Sequence, residues 1–146
     1  TDGELNLGQL VRERYPRDTV LVGFTTYRGT VTAASDWDAP AERKHVRPAL
    51  RGSYEALFHE TGLGNFILSF DHGHEMAWEL DEPRLERAIG VVYRPQRERT
   101  SHYFSASLSR QFDAVFHYDV TRAVEPLERM AIWDRGELPE TFPWAL

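Results

Sequence analysis

The apolar positions of this chain change period several times, and each change predicts an element. Leu5, Leu7, Leu10, Val11 and Tyr15 recur at helical spacing, with Asn6 placed to cap and Pro16 to stop, so residues 6–15 read as an amphipathic helix. Thr19 to Phe24 is a short continuous apolar run, the pattern of a strand covered on both faces. Thr30 to Ala34 alternates polar and apolar, so a hairpin joining 19–27 to 30–35 is predicted, with Gly29 in its turn. Residues 35–51 carry Asp36, Asp38, Pro40, Pro48 and scattered charge without a period. That stretch reads as a long surface excursion, and loops of that length often carry function.

Ser53 to His59 reads as a second helix, capped by Ser53 and closed by Gly62 or Gly64. Asn65 to Phe70 is a second apolar strand, and Asp71 to Glu82 fits no single period. Pro83 suits the first turn of a short helix to Arg87, Ile89 to Tyr93 a third strand, and Ala114 to Tyr118 a fourth. Between the last two strands, Gln96 to Ser101 reads as a charged loop and His102 to Ser109 as an ordered connection around aromatic side chains. From Thr121 onward, Pro126, Gly136, Pro139 and Pro143 predict a tail wrapped on the surface. Helices alternating with buried strands are an α/β signature.

Composition narrows the class. A chain of 146 residues suits one domain with a sizeable core, and 41% hydrophobic with 27% charged residues is ordinary for a globular fold. The net charge of −6 opposes a phosphate-binding surface, so nucleic acid is not an expected partner. No apolar stretch reaches membrane-spanning length, and a membrane partner is not expected either. With no cysteine there are no disulfides, thiolate metal sites or thiol nucleophiles, and a cytoplasmic location fits. The start Thr1-Asp2-Gly3-Glu4 lacks Met and reads as a processed or truncated piece.

Candidate chemistry gathers at strand ends, where α/β sheets collect ligands. Thr25, Thr26, Tyr27 and Arg28 follow the first strand, and their hydroxyls and guanidinium suit a carbonyl or carboxylate. A plain hairpin turn at Gly29 explains the same residues. His117 and Asp119 close the fourth strand, where a hydrogen-bonded core histidine is the competing explanation. His72, His74 and Glu75 include metal-ligating types, but no third ligand pairs with the two imidazoles at a convincing spacing, so a polar loop is the expectation and no metal is assigned. Gly-x-Ser-x-Gly, Walker, His-Glu-x-x-His and post-strand Gly-x-Gly-x-x-Gly motifs are absent.

The blocks Gly3 to Arg14 (GELNLGQLVRER), Val20 to Val31 (VLVGFTTYRGTV), Pro83 to Tyr93 with His102-Tyr103-Phe104, and Gln111 to Glu128 resemble, in order and spacing, the C-terminal part of the erythromycin esterase family. The likeness runs from residue 3 to about 128, leaving 129–146 as a surface-wrapping tail. It implies a partial three-layer α/β/α domain with a mostly parallel sheet. It also implies hydrolysis of an ester or macrolide lactone by histidine-activated water, with no metal or cofactor. The family's catalytic histidine and glutamate motifs precede the Gly-Glu-Leu-Asn-Leu-Gly block, so no catalytic residue is carried onto this chain.

The expectation is therefore a C-terminal portion of an esterase-like hydrolase, inactive alone, that supplies scaffold and substrate contacts through Thr25, Thr26, Tyr27, Arg28, His117 and Asp119. Its expected partners are an ester or lactone substrate and the missing N-terminal portion of the same polypeptide. An incomplete sheet with free edges also favours association into homo-oligomers. A non-catalytic binding or assembly module of the same fold is the alternative.

Overall fold

A computed structural model describes residues 6–70, 80–127 and 131–136. The first helix, α1 (Leu7–Arg14), starts where Asn6 Oδ1 accepts the Gln9 N–H at 2.9 Å. It leads to a long strand β1 (Val22–Ala34) and then to β2 (Ala41–Val46). Helix α2 (Tyr54–Glu60) is capped as the sequence predicts, with Ser53 Oγ accepting the Ala56 N–H at 3.2 Å. Strand β3 (Phe66–Ser69) and strand β6 (Ala114–Thr121) fall where apolar runs placed strands. Between them lie β4 (Arg84–Arg87), a 3-10 turn (Pro95–Arg97), α3 (Glu98–Ser101), β5 (Tyr103–Ala106) and the one-turn helix α4 (Leu108–Gln111). A last helical turn, α5, covers Ala131–Arg135.

The main sheet has strand order β2-β1-β6-β3, and β4 pairs with β5 in a separate two-stranded sheet. The class is mixed α/β, but the expected mostly parallel sheet is corrected: β1 and β6 run parallel, whereas β1–β2, β3–β6 and β4–β5 are antiparallel. Only a long crossover can join parallel neighbours, and the short connection from β1 to β2 forces reversal.

The predicted hairpin is also corrected. Residues 22–34 form one strand, and Gly29 sits inside it, where β1 changes partner: residues 22–29 pair with β6 and 29–34 with β2. Gly29 has φ +132°, and a Cβ there would collide with the Thr121 carbonyl oxygen. Glycine is required by both the backbone angle and the close approach of β6, with no turn involved.

Two of the other differences come from charged side chains neutralised inside the fold. The supposed excursion 35–51 contains β2, whose Lys44 is buried because Nζ donates to Ser35 Oγ at 2.6 Å and Glu42 Oε2 at 3.1 Å. Residues 84–87 form a strand where a helix over 83–87 was expected, since β5 pairs with Arg84 to Arg87 throughout. The charged loop 96–101 is helical, and Glu98 is buried against Arg87. The connection 102–109 supplies β5 and the start of α4. The expected strand 89–93 makes only a bridge, with the Ala34 N–H donating to Val91 O and the Tyr93 N–H to Ala34 O. In the tail, Trp133 is buried and donates Nε1–H to Thr32 Oγ1 at 3.0 Å.

Helix α2 covers one sheet face. Tyr54, Phe58, Phe70, Leu80, Leu108 and Val115 form the larger core, and Ala33, Val46 and Tyr93 a smaller one. The first strand was expected to be buried on both sides, but the opposite face presents Phe24 and Ile67 at 69% and 63% exposure, with Val22, Tyr118 and Val120 also exposed. Phe24 stacks on Phe116 of the parallel neighbour at 5.4 Å. A parallel pair is normally covered on both faces, so this apolar surface is unusual for the sheet that carries it.

Candidate functional site

Strand alternation sorts the sequence candidates. Thr25 and Tyr27 of β1, with His117 and Asp119 of β6, share the face under α2, while Thr26 and Arg28 take the other. Thr25 is buried, and its Oγ1 shares a 2.9 Å hydrogen bond with His117 Nδ1. His117 is 1% exposed and wedged between the rings of Phe58 and Phe66, at 5.3 and 5.1 Å. Burial holds its pKa below the ordinary imidazole value; Asp119 pulls it back up and His59 pushes it further down. The ring is therefore neutral at pH 7. Its Nε2 has no hydrogen-bond partner among the described residues and lies 4.0 Å from Asp119 Oδ1.

Asp119 is the centre of the group. Its Oδ1 meets His59 Nδ1 at 2.5 Å, and its backbone N–H donates to Asn65 Oδ1 at 2.9 Å. His59, at the end of α2, stacks face to face on Tyr27, with centroids 3.7 Å apart and planes within 3°. A carboxylate on Nδ1 and a ring stacked on one face fix the imidazole and leave Nε2 on its open edge. This is the arrangement by which a histidine is oriented for proton exchange or hydrogen bonding to a bound molecule.

Beneath the group, Arg87 sets the path of β1. Its Nη2 donates to the carbonyls of Thr26 and Tyr27, and its Nη1 donates to Arg47 O at 2.8 Å and Glu98 Oε1 at 2.6 Å. The guanidinium side chain is almost fully buried; its four acceptors replace the water lost at Nη1 and Nη2, and Nε has no partner among the described residues. Thr26 is tied to the Arg28 carbonyl and the Thr121 hydroxyl, and the Arg28 guanidinium is exposed.

The structure thus joins Thr25, Tyr27, His117 and Asp119 and sets Thr26 and Arg28 apart from them. Sequence reasoning missed His59, which is 60 residues from Asp119, and Arg87, which lay in a misassigned helix. The visible signal for Arg87 was a run of charge beside apolar residues, and for His59 there was none beyond its residue type. His72, His74 and Glu75 lie outside the described residues. Among the described residues no group of three or more histidine, cysteine or acidic side chains is arranged to hold a metal ion.

These features define a mixed α/β domain with a carboxylate-oriented histidine at the sheet–helix boundary. The chain belongs to the erythromycin esterase family, which it matches over residues 1–121. Among solved structures it is similar to a succinoglycan biosynthesis protein, at 25% identity and TM-score 0.67, over 81% of this chain and 28% of that one. It is also similar to a protein from Bacillus cereus, at 18% identity and TM-score 0.65, over 79% of this chain and 28% of that one. The chain therefore spans little more than a quarter of the length of either. Among the described residues no helix is long and apolar enough to cross a membrane.

Proposed function

We propose that the chain is the C-terminal portion of an erythromycin-esterase-like hydrolase, which opens an ester or lactone by attack of histidine-activated water on the carbonyl. The family match over 121 of 146 residues carries this reading. The apolar sheet face around Phe24 and Ile67 supports the partial-domain element, because the layer that a three-layer α/β/α fold needs would cover it. In this reading the chain supplies scaffold; Thr25, Tyr27, His117 and Asp119, joined by His59, supply substrate contacts or fix their geometry on one face of the sheet, and Thr26 and Arg28 do so on the other, toward the preceding segment. The substrate is a small ester or lactone, and the location is cytoplasmic.

The test compares the polypeptide that carries the preceding family segment with residues 1–146 alone, on a macrolide and on chromogenic esters. The longer polypeptide should hydrolyse at least one of them and the 146-residue chain none. Turnover by the short chain overturns the scaffold role, and inactivity of the longer one across the panel overturns the hydrolase reading. The second reading is a non-catalytic binding or assembly module of the same fold, since no catalytic residue of the family is carried onto this chain. Saturable ligand binding by the longer polypeptide without turnover supports that second reading.

A further inference from the structure

A concavity lies at the other end of β1, about 20 Å along the strand from Tyr27. It is a cavity of about 710 Å³ between α1, the β4–β5 pair and α4. Its walls include Leu21, Phe104 and Phe112, and Glu86 of β4 reaches it from below. Register places Phe104 of β5 directly opposite Glu86, so an aromatic ring and a carboxyl stand side by side.

The charges around the cavity are not balanced. Arg12 is paired with Asp113, and Arg110 grips Asp81 with two bonds of 2.5 Å, so neither guanidinium is free for an anion. Glu13 receives only the Gln9 amide, at 3.1 Å. Glu86 is 7% exposed and, among the described residues, has no hydrogen-bond partner for Oε2 and no ion pair; Arg84, two residues along on the same face of β4, does not bond to it. Below it lies Glu55, fully buried, with one oxygen accepting the Arg87 N–H at 2.9 Å. A carboxyl buried over another carboxyl is a poor structural choice, since burial and like charge both penalise its ionised form. It becomes a good one when a cation arrives to neutralise it.

We propose that this cavity binds a small organic amine, its ammonium group on Glu86 and its apolar body against Phe104 and Phe112. The ammonium gains a charge-assisted hydrogen bond in a site largely removed from water, and the rings add the attraction of their faces for a cation. Both paired arginines keep their partners, so no existing ion pair is broken. The site is separate from the Tyr27–His59–Asp119 group and does not depend on the hydrolase reading.

Calorimetric titration of the protein with benzylamine, and with benzyl alcohol as the uncharged probe of the same shape, tests the proposal. Benzylamine should bind saturably, about tenfold or more tighter than the alcohol. Glu86→Gln should erase that difference without unfolding the chain, because it removes a charge repelled by Glu55. Phe104→Ala, at a half-exposed position, should weaken the amine by a smaller factor and leave its preference over the alcohol. No saturable amine binding, equal binding of the two probes, or an amine preference that survives Glu86→Gln would each overturn the proposal.

Discussion

Glu86→Gln is also the sharpest probe of the energetics. Burial, and then the neighbouring Glu55, push the Glu86 carboxyl up from 4.5 to about 7. In the unfolded chain it ionises near its ordinary value, so between about pH 4.5 and 7 the folded state holds the extra proton. Stability then falls as pH rises through that window, and the loss is complete above the folded value. A carboxyl moved that far costs the folded chain about 3 kcal/mol once both states are ionised. Glutamine keeps the shape and stays neutral, so the variant should match the parent near pH 4.5 and exceed it by about 3 kcal/mol at pH 8. Urea unfolding of both proteins at intervals from pH 4.5 to 8 measures the gap. His117 acts in the opposite direction, because its depressed pKa removes stability as pH falls below 6.5. The difference between parent and variant cancels that contribution. A gap that is constant across the range, or that shrinks as pH rises, would refute the account of Glu86.

Gly29→Ala should cost at least about 2 kcal/mol in a thermal or urea melt, since φ +132° disfavours any side chain and Cβ would press on Thr121. Arg87→Met should cost about 3–5 kcal/mol by leaving Glu98 buried and unpaired, and the added change Glu98→Leu should recover part of it; a single-variant loss under about 1 kcal/mol would refute the pairing. The double change Phe24→Ser with Ile67→Ser should shift the stability of the isolated chain by no more than about 1 kcal/mol. The same double change should reduce self-association in sedimentation, and a large loss of stability would mean that those side chains are buried in solution. Arg28→Ala in the longer polypeptide should lower ester turnover while leaving the melting temperature unchanged, because the side chain is exposed. Unchanged turnover returns Arg28 to an ordinary surface position.

Periodicity and caps were legible where the information is local. The Asn6 and Ser53 caps, the helices they start, and the apolar strands at 66–69 and 114–121 all follow from neighbours three or four residues away or from runs of one polarity. The sequence placed its candidates at strand ends, whereas Thr25 and Tyr27 lie inside β1 and His117 and Asp119 inside β6, and they meet on one face only because the two strands pair in parallel.

What the sequence by itself determined was the mixed α/β class, the family and the two capped helices. Tertiary structure alone decided the strand directions, the role of Gly29, and the pairing of His59 with Asp119 across 60 residues. It also decided which charges go inside: Lys44, Arg87 and Glu98 read as surface until their partners arrive from distant segments. The physical reason is that burial of a charge such as Lys44, Arg87 or Glu98 is set by the group that neutralises it, and the direction of a strand by which distant strand it pairs with. Neither is written in the polarity of a residue's own neighbours.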